Sequence, residues 1–151
     1  MDPTSNFETF NNDKKEPITV QVAINKDSKT VWEFWKSPEH VKNWCHASPD
    51  WYAPKATNDL KVGGKFSTTM AARDGSASFD FEGVYKKITP FRFIEYDMSD
   101  GRKVIVEFLP VNNTTRVIQT FDPESENPVK MQKDGWQAIL NNFKKYVEKN
   151  N

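Results

Sequence analysis

The chain has 151 residues, 21 basic and 21 acidic side chains that cancel to a formal charge of zero, and a single cysteine. One domain of this length can bury a substantial core, and a balanced charge provides no overall basic field for nucleic acid or anionic lipid. The lone Cys45, with only two histidines, leaves no internal disulfide and no expected metal site or cofactor ligand set.

Residues 1–15 are polar and aperiodic and read as a mobile tail, with Phe7 and Phe10 able to pin part of it to the body. Residues 16–151 read as one domain. No charged start followed by an apolar run marks a signal peptide, and no stretch approaches the roughly 20 apolar residues that span a bilayer. A cytoplasmic protein without a membrane partner is therefore expected. Its oligomeric state, monomer or homodimer, is left open by the sequence.

From Pro17 to Asn25 the residues Ile18, Val20, Val22 and Ile24 alternate with polar ones, which predicts a strand with one covered face. Asp27 or Ser28 offers a capping oxygen to a short helix carrying Val31, Trp32, Phe34 and Trp35. Ser37-Pro38-Glu39 repeats the signal and predicts a second brief helix to about Trp44. His40 on that helix reads as exposed. Residues 45–57, with two prolines and no period, read as loop.

A strand is predicted over 58–62, with Gly63-Gly64 as a corner or bulge. Lys65 to Arg73 and Ala77 to Ile88 follow, joined at Asp74-Gly75. Thr89-Pro90 breaks the run, Arg92 to Met98 resumes it, and Asp100-Gly101 turns it again. Val104, Val106 and Phe108 alternate in the next strand, Asn112-Asn113 turns the chain, and Arg116 to Asp122 completes the sheet. Asn127 as cap and Pro128 at the first position then open a long helix, on which Val129, Trp136, Ile139, Leu140, Phe143 and Val147 recur at helical spacing. The order β-αα-β-β-β-β-β-β-α predicts an α+β protein with an antiparallel sheet.

In this order the chain resembles the START/Bet v 1-like superfamily of helix-grip proteins, also called SRPBCC. The phrases VWEFWKSPEHVKNW at 31–44, NDLKVGGKFSTTMAARDGSASFDFEGVY at 58–85 and GWQAILNNFKKYVE at 135–148 resemble the branch named after the activator of the heat-shock-protein-90 ATPase. The resemblance covers about residues 17–149. It implies a curved antiparallel sheet wrapped around the C-terminal helix, and either a ligand cavity between the two or a chaperone partner engaged through the surface. Relatives carry a Trp-Gly-containing loop after the second helix, where this chain reads Trp44-Cys45-His46-Ala47.

Hydrophobic residues make up 36% of the chain, and the Phe, Trp and Tyr among them number 20. In a helix grip many of these rings converge between sheet and helix, either as plain core or as the walls of an apolar cavity. The expected lining for a small hydrophobic ligand is Trp44, Trp51, Phe66, Met70 and Phe81 from the loop and first strands. Tyr96, Phe108, Met131 and Trp136 complete it.

Two residues could bring acid–base chemistry to such a cavity. Glu82 alternates with Phe81, so it points to solvent if the Phe face is inward and becomes a buried carboxylate only if a bulge reverses that face. His46 adjoins Cys45, but neighbours in sequence point apart and no orienting residue is evident, so a loop histidine is the simpler reading. Gly63-Gly64 lacks the trailing glycine and following helix of a phosphate loop. A cyclase or hydrolase would need one of these ionisable groups inside the pocket.

Overall fold

The computed structural model describes residues 16–150. The predicted tail, residues 1–15, lies outside the described residues. Seven strands form one antiparallel sheet: β1 (Ile18–Ile24), β2 (Trp51–Asn58), β3 (Lys65–Ala72), β4 (Ser78–Thr89), β5 (Phe93–Met98), β6 (Lys103–Val111) and β7 (Thr114–Phe121). Their order across the sheet is β1-β7-β6-β5-β4-β3-β2, so the first and second strands become its two edges. Helices α1 (Ser28–Lys36) and α2 (Pro38–Trp44) make the crossing between those edges, and α3 (Val129–Lys149) closes the chain.

Alternation sets the inner face. Ile18, Val20, Val22 and Ile24 of β1 are buried, and in the register of the sheet they meet Phe121, Gln119, Val117 and Thr115 of β7. Val104, Val106 and Phe108 of β6 continue that face. Across it, α3 buries Leu140, Phe143 and Val147. The helix is tied to β1 along its flank. The Gln137 amide donates to the Gln21 carbonyl at 3.0 Å, Lys144 Nζ donates to the Ala23 carbonyl, and the Asn25 N–H donates to Glu148 at 2.8 Å.

Two boundaries differ from the sequence reading. The second strand occupies Trp51–Asn58 rather than 58–62. Pro54 argued for a loop, but β2 is an edge strand, where a missing N–H costs no ladder bond, and its pairing with β3 shifts register between Tyr52 and Lys55. Residues 59–64 instead form the turn. A Cβ on Gly64 would lie 2.1 Å from the Asp59 carbonyl oxygen, so that turn admits only glycine.

The long helix also begins one residue late, at Val129, and Asn127 does not cap it. The Asn127 side chain donates instead to Glu124, whose carboxylate also accepts the Glu126 and Asn127 N–H groups. Gln132, buried on the helix, holds the same loop by donating to the Glu124 and Asn127 carbonyls and accepting the Glu124 N–H. Neither Asp27 nor Ser37 makes a side-chain cap bond. His40, expected to be exposed, is half-buried: its ring stacks on Phe34 at 4.2 Å and Nδ1 lies 2.8 Å from the Tyr146 hydroxyl.

Candidate functional site

Between the concave side of the sheet and the N-terminal half of α3 lies a cavity of about 600 Å3. Its walls come from β2 to β5 and β7, from α2, the end of α1 and α3, and from the loops after α2, β5 and β7. Of the nine residues expected to line it, the structure places Trp44, Trp51, Phe66, Met70 and Phe81 on its walls, together with Tyr96, Met131 and Trp136. Met131 and Phe79 are 59% and 51% exposed and form its apolar rim.

Phe108 is the exception. It faces inward as its alternation requires, yet it is fully buried between Trp32 at 5.2 Å and Trp35 at 5.8 Å. Helix α1 covers that part of the sheet, so the ring is core and not cavity wall.

The aromatic walls hold one another in place. Trp136 lies flat on Phe121 with centroids 3.8 Å apart and meets the Phe81 ring edge-on at 5.8 Å. Phe66 meets Tyr96 edge-on at 4.7 Å. Gly83 lies beneath that pair, and a Cβ there would come within 2.6 Å of Phe66 and 2.9 Å of Tyr96. The absent side chain is what lets the two rings close over β4.

The polar side chains of the lining sit at set places. The Tyr85 hydroxyl donates to Asn58 Oδ1 at 2.6 Å, and Asn58 donates in turn to the Lys36 carbonyl at 2.7 Å, which fastens β4 and β2 to the end of α1. Burial raises the Tyr85 phenol above the ordinary tyrosine range, with the Asn58 bond opposing it and Asp59 adding to it. Tyr96, Gln119 and Thr68 are buried polar side chains in the lining. Gln119 and Thr68 were missed in the sequence. Their signal was present, because each occupies an inward step of its strand between apolar neighbours: Val117 and Phe121 flank Gln119, and Phe66 and Met70 flank Thr68.

Most of the chain matches the family model described as Activator of Hsp90 ATPase homolog 1-like protein, over residues 26–148. The chain belongs to this family. Among solved structures, it is similar to a protein from Cytophaga hutchinsonii at 51% identity and a TM-score of 0.77, covering 89% of this chain and 93% of that one. It is also similar to the AHSA1-like protein from Aeromonas hydrophila at 39% identity and a TM-score of 0.80, covering 87% and 93%. A protein from Nitrosomonas europaea shares the fold at 18% identity and a TM-score of 0.76 over 89% and 95% of the two chains. No curated protein matches the chain.

For an AHSA1-like chain, the placement of its ionisable residues bears on chemistry. Glu82 borders the cavity only through its strand. Its carboxylate turns to the outer face and accepts from Ser67 Oγ at 3.2 Å, beside the Thr69–Asp80 bond at 2.7 Å. No bulge reverses β4 there, so Glu82 is not the buried carboxylate an inward turn would have made it. Cys45 does line the cavity, and burial pushes its thiol up to about 12, so the thiolate form that nucleophilic chemistry needs is suppressed.

His46 lies outside the lining. Its carbonyl accepts from the Asn142 amide, and its buried Nδ1 has no partner. Burial, and then the nearby Arg73, lower its pKa below the ordinary value. The unfolded chain therefore binds a proton that the folded chain resists, and stability from this residue is lost as pH falls below about 6.5. A melting-temperature profile should decline from pH 7 to 5.5, and His46→Gln should flatten that decline. An unchanged profile in the variant would assign the decline to other groups. Among the described residues, no cluster of three or more His, Cys, Asp or Glu is arranged to hold a metal, and no helix is long and apolar enough to cross a membrane.

Proposed function

We propose that this AHSA1-like protein binds a small, largely apolar molecule between its sheet and its C-terminal helix. One observation carries the reading: about 600 Å3 of space whose walls include the aromatic side chains of Trp51, Phe66, Phe81, Tyr96 and Trp136. Protein interiors pack to crystal-like density, and leaving this much apolar wall without contacts forfeits dispersion energy that a ligand would restore. The volume lies within the range of small-molecule sites, and the exposed Met131 and Phe79 provide an apolar entrance. Chaperone engagement through the surface draws only on the family's name and stands as the alternative.

The test is a thermal-shift series with uncharged ring compounds. A ligand that binds only the native state at 100 times its Kd adds about 2.7 kcal/mol of apparent stability, enough for a rise of several degrees. Trp136→Ala, which strips the Phe121 and Phe81 contacts from the wall, should reduce that rise. Apolar compounds that leave the melting temperature unmoved at millimolar concentration would sink the reading.

A further inference from the structure

The cavity holds three polar side chains that no group among the described residues satisfies. Tyr96, Gln119 and Thr68 are only 4%, 6% and 5% exposed, and all three line the cavity. Among the described residues, no hydrogen-bond partner reaches the Tyr96 hydroxyl, the Gln119 amide or the Thr68 hydroxyl. Nor are these atoms sealed in protein. Among the described residues, the side-chain polar atoms that are both fully enclosed and unpartnered are His46 Nδ1 and Asp122 Oδ1, and the three groups, which line the cavity, are not among them. Polar groups this deep ordinarily find partners, because an unpaired one forfeits its hydration without return.

Their chemistry favours a neutral partner. Burial, reinforced by Tyr85 and Cys45, raises the Tyr96 phenol well above its ordinary range, so it remains an O–H donor. Gln119 both donates and accepts. Charge at the mouth is already committed. Arg102, the cation of the lining, places Nε 2.8 Å from Asp100 and donates through Nη1 to the Asp122 carbonyl at 3.4 Å. Glu124 is occupied by the N–H groups at 126 and 127, and Asp80 and Glu82 turn outward. Among the described residues, no lysine or histidine lines the space. A charged ligand would lose its water without gaining an unpaired counter-ion.

We propose that the cavity selects an uncharged, ring-containing molecule bearing a carbonyl or hydroxyl, seated on Tyr96 and Gln119, over the corresponding carboxylate or ammonium. This rests on the binding function above and adds the head group to it. The rings suit the walls, since Phe66, Phe81 and Trp136 offer edges and faces to a planar partner.

Four compounds of similar size test it at pH 7 by calorimetric titration: naphthalene, 2-naphthol, 2-naphthoate and 2-naphthylmethylammonium. 2-Naphthol is expected to bind about fivefold more tightly than naphthalene, the worth of one hydrogen bond, and about tenfold more tightly than either ion. Tyr96→Phe and Gln119→Leu should each remove most of the advantage of 2-naphthol over naphthalene measured in that same variant, and circular dichroism and the melting temperature report that each variant is folded. Either ion binding as tightly as 2-naphthol overturns the proposal, as does a naphthol affinity indifferent to both substitutions. In those outcomes naphthalene still binds and the binding function stands. Failure of all four compounds to bind the wild-type protein would remove both.

Discussion

Phe108→Ala is expected to cost about 3–5 kcal/mol of folding stability, a large share of the total for a domain of this size. The ring has no exposed surface and lies edge-on to both Trp32 and Trp35. Truncation leaves a void beneath α1 that two indoles pinned by their own neighbours cannot fill. Trp35 is held against Trp44 at 5.1 Å and against Phe143 at 5.1 Å, which limits the collapse that would soften the loss. Urea unfolding measures the change. Naphthalene titration of the folded variant should return an affinity within about twofold of wild type, because Phe108 does not border the cavity. Lost binding in a folded variant would instead return Phe108 to the ligand wall.

Gly83→Val is expected to act in the opposite way, with a modest loss of stability and a large loss of binding. Its Cβ would come within 2.6 Å of the Phe66 ring and 2.9 Å of Tyr96, closer than carbon atoms pack, and the two methyl groups add further crowding. The obstructing atoms all belong to side chains, and open space lies on the cavity side of them. The rings therefore move into the cavity rather than the strands moving apart. Overpacking of this kind costs about 1–3 kcal/mol. With Phe66 and Tyr96 displaced into the space a ligand needs, naphthalene affinity should fall more than about tenfold. An unchanged affinity would show that apolar ligands bind elsewhere. Together the two substitutions separate folding from binding: one removes core without wall, the other obstructs the cavity with little harm to the core.

Much of the fold was legible because its signals are local. The Asp-Gly pairs at 74–75 and 100–101 do join β3 to β4 and β5 to β6, and Asn112 adopts the left-handed conformation expected of its turn. Three features escaped because a competing partner or position, and not the residue's own signal, decides them. Trp51–Asn58 is a strand despite Pro54 because its position at the sheet edge excuses the missing donor. Asn127 does not cap α3 because the Glu124 carboxylate, three residues back, claims its side chain. His40 likewise looked exposed on its own short helix until Tyr146, more than a hundred residues later, came to meet it.

The candidate site divides along the same line. Alternation along β3 to β7 and the stripe on α3 determine, from sequence alone, which side chains face inward, and on that basis Phe81, Tyr96 and Phe108 are equivalent. Only the tertiary structure distinguishes them. Helix α1 lies over Phe108 and fills the space above it, whereas the sheet curves away from α3 above Phe81 and Tyr96 and leaves the cavity. The direction of a side chain is a property of its own strand, repeated every two residues. Whether that side chain meets protein or empty space depends on the separation of elements far apart in the chain, and no local pattern encodes that distance.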